Sequence, residues 1–442
     1  MKKYRFFALV LVLVFSLTAL SGCGQKKDSV YFLNFKPEVA EVYNDIARAY
    51  ERETGINLRV VTASSGTYEQ TLKSEIGKSD SPSIFIVNGP VGYASWKDYC
   101  ADLSNTELYA HLTDKSLAIS DGGKVYGIPA VVEGYGIIYN EELTDKYFAL
   151  NNRQTQINSM DEVKSFDALK AVVEDMSSHK SELGIDGVFA SSSLKSGEDW
   201  RWHTHLANVA VYYEFEENEI DPSKKEDTAE IEFSYSDNFK SLFDLYINNS
   251  TTDKKLLGSK QVADSMAEFA LGRCIMVQNG NWAWSQINGI SGNTVKEEDI
   301  KFLPLYMGVE GENSQGLCIG TENYLCINSK QSEEKQKMAA DFLYWLYSSE
   351  TGKEFVTKKL NFISPFDTFE DDELPNDPLA KEVFRWMSDE DVVTVPWNFT
   401  VFPSLNFKNN FGSALLQYAQ GTLSWDGVKD AVVNSWREEA GQ

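Results

Sequence analysis

Residues 29–90 read SVYFLNFKPEVAEVYNDIARAYERETGINLRVVTASSGTYEQTLKSEIGKSDSPSIFIVNGP, and the changes of apolar period along this stretch decide the fold. SVYFLNF (29–35) is an apolar run of strand length. Pro37 suits a first helical position, Val39, Val42, Ile46 and Ala49 share one face, and Gly55 is the expected stop. INLRVVTA (56–63) then reads as a strand, GTYEQTLKSEIGKS (66–79) as a helix, and SPSIFIVNG (81–89) as a third strand closed by a Gly-Pro turn. This βαβαβ order opens a parallel sheet. Ligands of such sheets sit beyond the carboxyl ends of the strands, here residues 34–36, 63–68 and 88–90. Asn34, Lys36, Tyr68, Asn88 and Gly89 are therefore candidates for ligand contact, although Asn and Gly also build turns without any ligand.

The chain starts MKKYRFFALVLVLVFSLTALSGC, with Lys2, Lys3 and Arg5 before an apolar run and small residues after it. That pattern predicts a signal peptide over 1–22. Leu20-Ser21-Gly22-Cys23 resembles a bacterial lipobox, which predicts a diacylglyceride thioether on Cys23 and a polar tether over 23–29. Loss of 1–22 would take the formal charge from −25 to −28. Such acidity argues against nucleic acid and anionic membrane surfaces as partners. The roughly 420 residues that remain exceed one ordinary core, so two lobes are expected. Cys100, Cys274, Cys318 and Cys326 match neither a metal motif nor a disulfide framework, and their pairing stays open.

Further on, VYGIPAVVEGYGIIYN (125–140) sets one carboxylate, Glu133, in an apolar run where an ionised side chain needs a partner. The acidic stretch 214–230 reads as an exposed loop or hairpin. FALGRCIMVQNGNWAWSQI (269–287), IKFLPLYMG (300–308) and GLCIGTENYLCINSK (316–330) follow, then an amphipathic helix over 332–356 and two helical segments, 408–421 and 425–439. No Gly/Ser- or Pro-rich linker separates halves, so the chain is expected to cross between lobes several times.

The lipobox LSGC, SPSIFIVNGP, GKVYGIPAVVEGYGIIYN, FALGRCIMVQNGNWAW, and KMAADFLYWLYSSETGKEFV with LNFISPF occur in one order over nearly the whole chain. In these blocks the sequence resembles extracellular solute-binding proteins of the sugar-transporter type, the broad family of the maltose-binding protein. The resemblance implies an α/β, two-lobed, periplasmic-binding-protein-like (type II) fold that closes on a carbohydrate and delivers it to an ABC permease. It implies no catalysis and no cofactor, a monomer, and a place on the extracytoplasmic face of the membrane held by lipid on Cys23. On the same basis the lobes divide as 30–131 and 303–366 for the first, and 132–302 and 367–442 for the second.

A sugar site needs aromatic plates for C–H faces and carboxylates or amides for hydroxyls. In QNGNWAW the resemblance implies Asn279, Asn281 and Trp282 at the cleft, with Gly280 allowing close backbone approach; Trp284 reads better as a core aromatic. In GEDWRWHTHLA (197–207), Trp200 and Arg201 are assigned to the cleft. TVPWNFTVFPS (394–404) adds Trp397 and Phe402, although the pattern departs here from the maltose-binding protein. The family places Glu133 where the chain first leaves one lobe for the other, with Gly134 and Gly136 loosening the crossing. There Glu133 would accept hydrogen bonds from sugar hydroxyls; the competing reading is a buried Glu held by amides or a salt bridge.

Ser192–Lys195 is an S-x-x-K and 236–238 an S-D-N, but the K-S-G at 195–197 overlaps the first motif where it should follow the second. His203 and His205 lack partners at metal-ligand spacing and read as surface residues, as His111 and His179 lie elsewhere. A glycoside hydrolase using two carboxylates distant in sequence, and a sensor partner of a membrane kinase, remain as alternatives.

Overall fold

The structure is a computed structural model that describes residues 29–440 except 64–65, 223, 225 and 371–372. The expected signal peptide and lipidation site at Cys23 lie outside the described residues. Two sheets flanked by helices make up the α/β fold. The first has the order β2-β1-β3-β10-β5-β4, with β1 (Ser29–Asn34), β2 (Asn57–Thr62), β3 (Ile84–Asn88), β4 (Ile119–Asp121), β5 (Lys124–Pro129) and β10 (Asn323–Ile327). β1, β2 and β3 are mutually parallel, as the opening stretch dictates. The helix between β1 and β2 (Ala40–Thr54) buries Tyr43, Ile46, Ala49 and Tyr50 and stops at Gly55, whose φ of +74° is the left-handed cap that glycine adopts without strain.

The second sheet is built around β6 (Glu133–Asn140), buried along its whole length. β7 (Met276–Gly280) runs antiparallel along one side, while β8 (Ile300–Leu303) and β9 (Gln315–Gly320) share the other; β11 (Val393–Val395) lies parallel to β9. A strand covered on both faces reads as a continuous apolar run, which is why IIYN carried no alternation.

The chain crosses between sheets from Pro129 to Glu133 and returns between Gly320 and Asn323. That return comes later than the expected 303, because β9 completes the edge of β6 first. A third passage follows the bridge of Ile363 with Val132 and leads to the helix Pro378–Met387. Gly134 and Gly136 do not loosen the crossing: side chains there would collide with Val383, and with Leu303 and Leu317, so both permit close packing on β6. The expected loop at 214–230 begins instead inside the helix Ala207–Glu217, where the buried Glu214 carboxylate accepts hydrogen bonds from the Glu232 and Ser234 amides.

Topology brings two strand edges face to face. Asn34, Asn88 and Asn323 end or begin their strands at one edge of the first sheet, Asn88 directly opposite Asn323. Glu133, Gly280 and Gly320 do so at one edge of the second, through the pairs Glu133↔Gly320 and Tyr135↔Gly280.

Candidate functional site

Lys36 leaves the carboxyl end of β1 and reaches across to the first residue of β6. Its Nζ donates to Glu133 Oε1 at 2.7 Å, and Asn323 Nδ2 donates to Oε2 at 3.1 Å. Glu133 is 3% exposed and Lys36 8%, so this is a buried ion pair spanning the two sheets. Burial opposes the Lys36 ammonium, but the charges of Glu133 and Glu38 outweigh it and hold its pKa above the usual value. The lone carboxylate in the apolar run thus has its partner. A cavity of about 130 Å³ opens beside the pair, lined by Glu38, Trp282, Phe362 and Asp377 among others.

Trp282 stands between this cavity and an aromatic cluster. Its ring lies 6.0 Å from Lys36 Nζ, 6.0 Å from Trp200, 5.6 Å from His205 and 6.4 Å from Trp397, measured to ring centroids. His205 stacks face to face on Tyr135 at 3.9 Å. Trp397 lies against the end of β9, where a Cβ on Gly320 would meet its ring. The segment 201–206 winds as a π-helix, a form that often marks functional positions. Its extra residue per turn brings both Trp200 and His205 to the cluster.

Several polar atoms here are buried without any protein partner: Asn88 Oδ1, Thr321 Oγ1, Asn323 Oδ1, Trp397 Nε1, His205 Nδ1, and Arg201 Nε and Nη1. Burial, then Arg201 nearby, pushes the His205 imidazole well below its usual pKa and keeps it neutral. Burial pulls the Arg201 guanidinium down to about 9. Its ring-stacking partner is Trp200, 3.9 Å away.

The expected site residues divide. Lys36, Asn88, Glu133, Trp200, Arg201, Trp282 and Trp397 come together around this cleft. Gly89 sits at its rim with φ +65°, where a Cβ would touch Thr400. Asn34 instead shapes the turn after β1, bonding Lys36 and Thr62. Tyr68 is a strut of the first sheet, its hydroxyl held by Ile86 N and Leu33 O. Asn279 and Asn281 turn their amide oxygens inward, the latter to Gly134 N. Phe402 packs with Phe407 and Trp436 among the C-terminal helices, because the chain leaves the cluster after Phe399, which still lies against His205 and Trp397. Trp284 is core, as read.

His203 and His205 are buried, not on the surface: His205 lies against Trp200 and Tyr135, and His203 lies beside Asp199 and Gly412. Tyr135, His205, Thr321 and Asn323 were missed. Tyr135 was legible in principle, since it shares the face of Glu133 two residues on. Cys100, Cys274, Cys318 and Cys326 are buried free thiols. Ser192 is buried against the Tyr246 hydroxyl while Lys195 is exposed, so the S-x-x-K members are not brought together. Among the described residues no cluster suited to a metal ion occurs, and no helix is long and apolar enough to cross a membrane.

A family model described as bacterial extracellular solute-binding protein matches residues 45–382. The melibiose/raffinose/stachyose-binding protein MelE of Bacillus subtilis is 26% identical over 150 residues, 31% of this chain and 35% of its own length. The aligned part thus spans only about a third of that relative. Among solved structures, a chitin oligosaccharide binding protein superposes with a TM-score of 0.70 at 17% identity, covering 94% of this chain and 99% of the other. RafE in complex with raffinose superposes with a TM-score of 0.67 at 16% identity, covering 93% and 99%. At these identities the likeness is one of fold.

Proposed function

The chain belongs to the bacterial extracellular solute-binding proteins, and on that premise we propose that it is the sugar-binding component of an ABC importer. It takes an oligosaccharide between the two sheets, holds it unchanged and passes it to the permease. Lipid on Cys23 keeps it, as a monomer, at the extracytoplasmic face of the membrane; two acyl chains suffice for a stable anchor. The names of the similar proteins point the same way, toward melibiose, raffinose, stachyose and chitin oligosaccharides.

One observation carries the reading: aromatic rings at Trp200, Trp282 and Trp397 gather beside Arg201 and His205, where buried polar atoms, the Trp397 indole N–H among them, have no partner. A sugar offers an apolar face to the rings and hydroxyls to the polar atoms. Each orphaned group forfeits about 1–3 kcal/mol until something bonds it. Closure of the lobes then follows from tighter solute binding in the closed state.

A thermal-shift screen of mono- and oligosaccharides, with chromatography of the recovered sugar, tests this. At least one oligosaccharide should raise the melting temperature and be recovered intact. Stabilisation only by peptides or amino acids, or recovery of shortened sugar, overturns it.

A further inference from the structure

Asn279, the penultimate residue of β7, gathers more hydrogen bonds on one oxygen than any turn requires. Its Oδ1 accepts from Trp282 Nε1 at 2.9 Å, from Gly280 N at 3.0 Å and from Arg201 Nη2 at 3.1 Å, while its Nδ2 points to Met266 Sδ at 3.4 Å. The amide is fully buried, with its oxygen saturated and one N–H spent on sulfur, so it presents no surface to a solute. Its two side-chain donors are what matter. Trp282 is half-buried and presents its ring to the cleft, and Arg201 lies under the Trp200 ring. One carbonyl oxygen therefore sets the angle of one plate directly and the support of the other through the guanidinium.

The neighbouring residue acts on the same ring by shape. A Cβ on Gly280 would overlap the six-membered ring of Trp282. The indole therefore lies flat over the glycine, and the space expected for a ligand's close approach is filled by this protein's own tryptophan.

We propose that Asn279 and Gly280 are positioning residues that hold the Trp282 and Trp200 plates in register before solute arrives. Neither touches the sugar; each acts through a ring. The inference rests on the sugar reading of the cleft, but the orientation of Trp282 can be tested without any sugar.

The experiment uses the full mature chain labelled with 5-fluorotryptophan, in which the fluorine resonance absent from Trp282→Phe identifies Trp282. Asn279→Leu, which removes the acceptor, and Gly280→Ala, which pushes on the ring, should each shift or broaden that resonance. Asn279→Asp, which keeps an acceptor oxygen toward the indole and the guanidinium, should leave it near its original position. With raffinose, stachyose and chitotriose as probes, the first two variants should bind about 10-fold more weakly and the Asp variant within about 3-fold, the scale of one hydrogen bond. If Asn279→Leu does not fold, Gly280→Ala decides, since it leaves every hydrogen-bonding group in place. An unmoved Trp282 resonance in folded Asn279→Leu or in Gly280→Ala overturns the proposal. If no probe binds the unmutated protein, the failure falls on the sugar reading, and the fluorine spectra still judge the positioning role.

Discussion

On the first-sheet side of the cleft the buried atoms left without partners are oxygens: Asn88 Oδ1, Asn323 Oδ1, and Thr321 Oγ1 at the crossing. On the second-sheet side, beside the Gln278 amide of β7, they are nitrogens: the Trp397 indole N–H, the Arg201 guanidinium and the neutral His205 ring, set among stacked aromatic faces. The amides of Asn279 and Asn281 on that side are spent on internal bonds. A wall rich in acceptors thus faces a wall of rings and N–H donors. Hydroxyl groups on an apolar ring are the ligand chemistry that serves both, since a hydroxyl donates to one wall and accepts from the other. The Lys36–Glu133 pair is a charged tie that spans the two walls at the crossing.

The largest effect should come from breaking that tie. Lys36→Met leaves the Glu133 carboxylate buried with only Asn323, and should destabilise the protein by about 3–5 kcal/mol in denaturant unfolding. Adding Glu133→Leu should recover most of the loss, because apolar packing replaces a buried pair at little penalty. Glu133→Gln alone should lower the melting temperature of the sugar-free protein, since it weakens an existing bond to Lys36. Equal stability of these single variants and the parent would show the walls are not held together here.

Removing a plate tests the second wall. Trp282→Ala should weaken sugar binding by about 2–4 kcal/mol, roughly 30- to 1000-fold by calorimetry, as for a central aromatic anchor. The first wall is tested by Thr321→Val, which deletes an orphaned hydroxyl while keeping shape. It should weaken binding by about 1–3 kcal/mol without lowering sugar-free stability, because no protein bond is lost.

A pH-dependent effect concerns Asp377, beside the same cavity. Burial pushes its carboxyl from 3.8 up to about 7, Glu297 adding to the rise while the Ala380 and Leu379 amides and Lys381 oppose it. A raised carboxyl pKa means stability that is full below pH 3.8 and lost as pH climbs through about 7. Asp377→Asn should therefore gain stability relative to the parent as pH rises from 4 to 8, read from melting temperatures. A constant difference across that range would assign the carboxyl an ordinary pKa.

How far the sequence showed this can be traced residue by residue. The parallel opening of the first sheet was legible because apolar period, Pro37 and Gly55 agree within one local stretch. Later strands were harder: β9 and β10 are separated by two residues yet belong to different sheets, and only long-range pairing with β6 and with β3 decides that. Strand ends led to Lys36 and Asn88, and the resemblance in QNGNWAW led to Trp282, all three of which the fold brings to one cleft; neither signal tells which side chains turn inward, and Asn34 and Tyr68 are spent on the fold. His205 was hidden because a π-helical turn rephases side chains that an ordinary period would place outside. Glu133 was recognisable as anomalous from its apolar neighbours, whereas its partner lies 97 residues away in the chain.

The most direct test is a crystal structure of the mature chain with the oligosaccharide that stabilises it most. A ring of the sugar should lie on Trp282, with hydroxyls within hydrogen-bond distance of Asn88 Oδ1, Thr321 Oγ1 or Asn323 Oδ1 on one side and Trp397 Nε1 on the other. Sugar bound outside the space between the two sheets, or bound there with those atoms still unpartnered, would contradict the account.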